Sequence, residues 1–181
     1  MKVILLAAGR SKRLKPIEDK NFLYFLGKPL IQRQLEQLAT LGLKEVIVVG
    51  GNHNLQNLRK FAKHFSFHLK IVEQKNLDDG MAGAVFSVEK YVKNDDVLIV
   101  SAQDIVEAEA YQSLIRIVRN NKNIDSFLVG KKVNSYFPGG YADLDFLKSF
   151  HLGSYYGLLR KYEGVYFIDG GLNYKSTELK L

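Results

Sequence analysis

Three short runs in this chain are apolar without interruption: Val3-Ile4-Leu5-Leu6, Val46-Ile47-Val48-Val49 and Val97-Leu98-Ile99-Val100. A strand with one face in water alternates apolar and polar residues, so a run that never alternates reads as a strand covered on both faces. Helical periodicity fills the intervals. The spacing predicts a helix over residues 29–41, with Leu30/Ile31, Gln34/Leu35, Leu38 and Leu41 on one face, opened by Pro29 and stopped by Gly42. Further helices are predicted over 54–65, 83–92 and 108–119, with additional strands at 69–72 and 126–130. Strands alternating with helices of this length build right-handed βαβ units, so the chain is expected to be an α/β protein on a mainly parallel sheet. Beyond Lys132 the pattern changes. Pro138-Gly139-Gly140 reads as a tight turn, 144–160 as a poorly capped helix or a loop, and 165–168 as a strand.

A length of 181 residues favours one domain with a real core. There is no cysteine, which excludes disulfides and thiolate metal sites. The N-terminal apolar run meets charge by Arg10, too soon for a secretory leader, and no stretch approaches the ~20 apolar residues of a membrane span. A cytoplasmic protein with no membrane partner is expected. The net charge of +7 suits an anionic partner, nucleic acid or nucleotide. The basic residues are spread (Lys60, Lys63 and Lys70; Lys131-Lys132; Arg160-Lys161) and nowhere alternate with aromatics in a dense block, so nucleic acid is not expected.

The first strand runs through Ala7-Ala8-Gly9 into Arg10, Ser11, Lys12, Arg13, Lys15 and Lys20. Small residues let a ligand approach the backbone, and amides past the strand end become donors. Amides and five cations at a strand's C-terminal end suit a polyphosphate. The alternative is a strand followed by a solvated basic loop. The run at 97–100 ends in Ser101-Ala102-Gln103-Asp104. A carboxylate at that tip suits Mg²⁺, which takes hard oxygen ligands and commonly shares them with substrate phosphates. The alternative is an Asp capping the helix that begins near Glu107. Gln74, followed by Gly80-Met81-Ala82-Gly83-Ala84, offers an amide donor and acceptor matching a pyrimidine's imide edge. An ordinary strand–helix loop explains the same residues. His53, His64, His68 and His151 make no ligand set, and Ser11 has no base partner in the sequence. The tyrosines at 155, 156, 162, 166 and 174 read as core or interface packing, compatible with a homo-oligomer.

Leu6-Ala7-Ala8-Gly9-Arg10-Ser11-Lys12-Arg13-Leu14, then Lys20, then Gly27-Lys28-Pro29-Leu30-Ile31, resembles the opening of the nucleotidyltransferases that make nucleoside-diphosphate sugars. Gly80-Met81-Ala82-Gly83-Ala84, Asp104 and Phe137-Pro138-Gly139-Gly140-Tyr141 fall where that family has its base-binding glycine, metal aspartate and sugar-contacting glycine. The chain looks most like the glucose-1-phosphate thymidylyltransferases, over about residues 1–142. The resemblance implies a Rossmann-like, GT-A-type three-layer sandwich with a mostly parallel mixed sheet. It implies that Leu6, Ala7, Ala8, Gly9, Arg10 and Ser11 bind the nucleotide, the last four holding its triphosphate, and that Arg13 steadies the β/γ phosphates and the leaving pyrophosphate. Lys20 would contact the α-phosphate or the sugar phosphate. Gln74, Gly80 and Met81 would meet a thymine or uracil, Gly140 and Tyr141 the sugar, and Asp104 Mg²⁺. The implied reaction couples dTTP or UTP to a sugar 1-phosphate, with pyrophosphate as co-product. Alternatives are a cytidylyl- or guanylyltransferase on another phosphorylated alcohol, or a nucleotide-binding module without catalysis.

The sequence departs from that pattern in places. Ser11-Lys12 replaces the usual Gly-Thr, and Asp19 replaces the proline before the lysine. The interval from Arg13 to Lys20 is short, closer to that of the cytidylyltransferases of isoprenoid precursors. The family's later Glu-Lys-Pro segment is missing, which leaves Asp169 as candidate second metal carboxylate. One domain over 1–181 is therefore expected, with a nucleotide-binding core over 1–132 and a partial or divergent sugar-binding part over 133–181.

Overall fold

The computed structural model describes residues 1–93 and 95–121, apart from the Arg13 side chain, and the backbone of 127–132 and 162–167. Strand β1 (Lys2–Leu6) leads into a loop holding two short 3-10 turns, Lys12–Leu14 and Lys20–Phe22. Next come β2 (Tyr24–Phe25) and β3 (Lys28–Pro29), an antiparallel hairpin turning at Leu26-Gly27. Helix α1 (Leu30–Thr40), β4 (Val46–Gly50), α2 (Leu55–Ala62), β5 (Leu69–Glu73), α3 (Gly80–Phe86) and β6 (Val97–Ser101) follow.

Strands β5, β4, β1 and β6 lie side by side in that order, all parallel. Strand β1 is therefore interior, and Val3, Ile4 and Leu5 are fully buried, as their unbroken apolar run requires. Ile4, Ile47 and Val49 pack with Ala84 of α3 and with Val88 just beyond it. In α1 the residues Ile31, Leu35 and Leu38, spaced for one helical face, are also buried. The α/β architecture with a parallel sheet is as the sequence predicts.

Several local expectations are corrected. Strand β6 lies at the edge of these four strands, and Val97 and Ile99 are exposed while Leu98 and Val100 are buried. It is covered on one face rather than two. The segment 83–92 is not one helix: α3 starts earlier, at Gly80, ends at Phe86, and gives way to a 3-10 turn at Glu89–Tyr91. Helix α2 stops at Ala62, short of Phe65.

The chain divides into two compact units, Met1–Val106 and Glu107–Leu181. In the second, α4 (Ala108–Asn120) matches its prediction. Strand β7 (Phe127–Lys132), read as a further member of the parallel sheet, pairs instead antiparallel with β8 (Tyr162–Phe167), from Phe127↔Phe167 to Lys132↔Tyr162. The turn at Pro138 and the segment 144–160 lie outside the described residues. No helix among the described residues is long and apolar enough to cross a membrane.

Candidate functional site

Parallel strands present all their C-terminal ends at one edge, and here that edge gathers those of the predicted residues that the structure describes. Ala7 N–H donates to Val49 O (2.8 Å), Ala102 N–H to Leu6 O (3.0 Å) and Gln74 N–H to Gly50 O (2.8 Å), so pairing continues to the very tips. Leu6 stands in register with Ser101, which sets the Ala7–Ser11 loop beside the loop of Asp104. The two tips expected to adjoin do so.

Ala7 and Ala8 are buried, Gly9 and Arg10 exposed. The amides of Ala8, Gly9 and Arg10 donate no backbone hydrogen bond to another described residue. Ser11 is buried and left-handed at φ 51°. Its Oγ accepts the Lys20 N–H at 3.0 Å, drawing the two segments together. The Lys20 side chain then runs across Gly9, its Cε 3.8 Å from where a Cβ there would stand. Arg13 sits in the 3-10 turn Lys12–Leu14.

The Arg10 guanidinium pairs with Asp78, in the turn Leu77–Asp79 that precedes α3. This ties the Ala7–Ser11 loop to the segment holding Gly80. The hydrogen bond and charge of Arg10 hold the Asp78 carboxyl below the usual carboxylate range.

Gln74 and Gly80 come together in one loop. Gln74 is buried, and its Nε2 donates to Asn76 O (2.9 Å) and Gly80 O (2.8 Å). Both partners are carbonyls, so the orientation of the amide follows from the network. The Gly80 N–H donates to Leu77 O. Both donors assigned to base reading are thus engaged in shaping the loop, and only the Gln74 carbonyl end remains to face a base. Gly80 has φ +62°, which favours glycine, and a Cβ on Gly83 would stand 2.4 Å from Asp79 Cβ and 2.9 Å from Gln74 Nε2. Met81, next in α3, is half-buried.

Three polar residues near the loop, Asp19, Asn21 and Asn54, hold a role the sequence did not announce, Asp19 having stood out only as a replacement of the family's proline. Asn21 and Asn54 are each 1% exposed, and both donate to the Ala7 carbonyl, at 2.9 and 2.8 Å. The only signal was position: Asp19 and Asn21 flank Lys20, and Asn54 follows the glycine pair that ends β4.

The family of MobA-like NTP transferase domains matches residues 3–133. This chain belongs to that family. Among curated NTP transferases, the bifunctional sugar-1-phosphate nucleotidylyltransferase/acetyltransferase of Sulfurisphaera tokodaii is 31% identical over 148 residues, covering 80% of this chain and 34% of that protein. The glucose-1-phosphate thymidylyltransferase of Neisseria meningitidis is 27% identical over 122 residues, covering 64% of this chain and 42% of the relative. The chain thus spans between a third and a half of the length of these relatives. Among solved structures, the inositol-1-phosphate CTP transferase from T. maritima superposes with a TM-score of 0.61 at 20% identity, covering 74% of this chain and 54% of that one. That likeness shows the shared Rossmann-like fold.

Among the described residues no three His, Cys, Asp or Glu side chains gather into a metal cluster. Asp104, half-buried at the β6 tip, is therefore a single hard carboxylate. Such a donor fits a Mg²⁺ that takes its remaining ligands from phosphate and water, and does not fit a metal held by protein alone. Gly140, Tyr141 and Asp169 lie outside the described residues.

Proposed function

We propose that this NTP transferase domain joins a pyrimidine nucleoside triphosphate, dTTP or UTP, to a sugar 1-phosphate and releases pyrophosphate. The observation that carries the reading is the shared edge: the Ala7–Ser11 loop with Lys20 laid across Gly9, in register beside the Asp104 loop. The family match and the sugar-phosphate relatives support the reaction class, and the thymidylyltransferase relative supports a pyrimidine donor.

In this reading a sugar-phosphate oxygen attacks the α-phosphorus in line. The bond from that phosphorus to the β-bridging oxygen breaks, and pyrophosphate leaves with the electron pair. The attacking phosphate is already ionised at neutral pH, so no general base is needed. The chain supplies position and charge. The Ala8, Gly9 and Arg10 amides cradle phosphate oxygens, Lys20 meets the α- or sugar phosphate, and Arg13 steadies the leaving group. Asp104 would hold Mg²⁺, which neutralises triphosphate charge when bound.

A pyrophosphate-release assay over a panel of triphosphates and sugar phosphates tests this. Lys20→Ala and Asp104→Ala should each lower turnover at least ~100-fold while the circular dichroism spectrum keeps its wild-type shape. Wild-type rates in either variant would remove that residue from the site. Thermal stabilisation by nucleotide with no pyrophosphate under any pairing would instead mark a binding module.

A further inference from the structure

The Ala7 carbonyl lies at the centre of a closed polar ring. It accepts from Asn21 Nδ2 and Asn54 Nδ2, which fills both of its lone pairs. The second hydrogen of each amide goes to Asp19: Oδ1 accepts from Asn21 Nδ2 (2.6 Å) and Oδ2 from Asn54 Nδ2 (2.8 Å). Asn54 Oδ1 is held in turn by the Gly51 N–H at 3.0 Å, and the Asn21 N–H by Asp19 Oδ1 at 2.9 Å. Asn54 stands just before α2, where a side-chain oxygen ordinarily caps the helix, yet it makes no such cap and reaches back to β1.

A trans peptide is planar and sets its N–H opposite its C=O. The cis bond among the described residues is Lys15–Pro16, so the Ala7–Ala8 peptide is trans. The ring holds Ala7 O on the β4 side of β1, which turns the Ala8 N–H the other way, toward β6 and the Asp104 loop. We propose that Asp19, Asn21 and Asn54 are positioning residues that lock this peptide, so that the Ala8 N–H is aimed at a polyphosphate before one arrives. The inference rests on the nucleotide reading above. A half-buried carboxylate bridging two buried amides adds little stability over apolar packing, whereas a donor fixed in advance spares its ligand the cost of ordering it.

The test titrates sodium tripolyphosphate into the whole chain by calorimetry, well below the lowest unfolding midpoint. Asn54→Asp keeps the volume and the acceptor for Gly51 but removes both donated hydrogens; Asn54→Ala removes everything. Val88→Ala, at a fully buried core position outside the loop and the ring, is the control for lost stability alone. Kd should rise at least ~10-fold in both Asn54 variants and stay at the wild-type value in Val88→Ala. Equal shifts in all three, or none in the Asn54 pair, would overturn the proposal. If the wild-type chain takes up neither tripolyphosphate nor nucleotide, the nucleotide reading is what fails. The lock is then judged by NMR of the free protein: Asn54→Asp should move the Ala7 carbonyl carbon upfield and lower the Ala8 amide order parameter, and unchanged values for both would overturn it.

Discussion

Ser11 holds a left-handed backbone that costs an L-residue roughly 1–2 kcal/mol, and its hydroxyl accepts the Lys20 N–H in return. The two effects separate by substitution. Ser11→Ala keeps the strain and loses the acceptor, which should cost about 1–2 kcal/mol. Ser11→Gly loses the acceptor but relieves the strain, and should fall within ~1 kcal/mol of wild type. Urea unfolding should therefore rank the variants wild type, glycine, alanine. A second residue-scale case is Asp78, whose carboxyl Arg10 holds below its ordinary value. A depressed carboxyl contributes stability above its unfolded value and loses it as pH falls through its folded one. The urea midpoint of Asp78→Asn should thus lie slightly below wild type at neutral pH, and the gap should close in strong acid. A gap that persists there would mean the pair is not its source.

At the scale of the element, burial decides what a substitution costs. Leu35 in α1 is fully buried between Ile31 and Leu38 on one helical face, so Leu35→Ala should cost about 2–5 kcal/mol by denaturant unfolding with an unchanged m-value. That helix was legible because its apolar spacing is uninterrupted. The strands β1, β4 and β6 were legible for the same reason, yet an all-apolar run carries no polar face to mark an edge, so the exposure of Val97 and Ile99 was not. Helix α3 hid its start because Gly80 and Gly83 are poor helix formers, and Asp79 ahead of them makes no side-chain cap, its carboxylate accepting from Asn76 instead. The hairpin at 24–29 hid as well: its turn is Leu26-Gly27, without the Asn-Gly that announces such turns. Within the site, the small-residue loop and Asp104 were readable because each directly follows a strand. The ring on Ala7 was not, since Asn54 lies 47 residues away and only the adjacency of β4 and β1 brings it there.

Over the whole molecule, each described site residue belongs to the unit Met1–Val106, while the net charge of +7 is a property of the full chain. A positive surface field raises the local concentration of a polyanion and is screened within about 8 Å at physiological salt. Triphosphate affinity should therefore fall several-fold as salt is raised from low to physiological strength, measured by calorimetry at fixed pH. A salt-independent Kd would place recognition in the base and not in the phosphates.

The hydroxyl of Ser11 and the main chain of Lys20 close the residues between them into a small lobe hanging off the sheet. Lengthening a lobe whose feet are already joined is inexpensive, about 0.6 kcal/mol for each doubling. Evolution can add or trim residues there without unseating the turn at one foot or the lysine at the other. The interval from Arg13 to Lys20 is accordingly a poor ruler for ancestry within the family, and lobes of quite different size can serve the same chemistry.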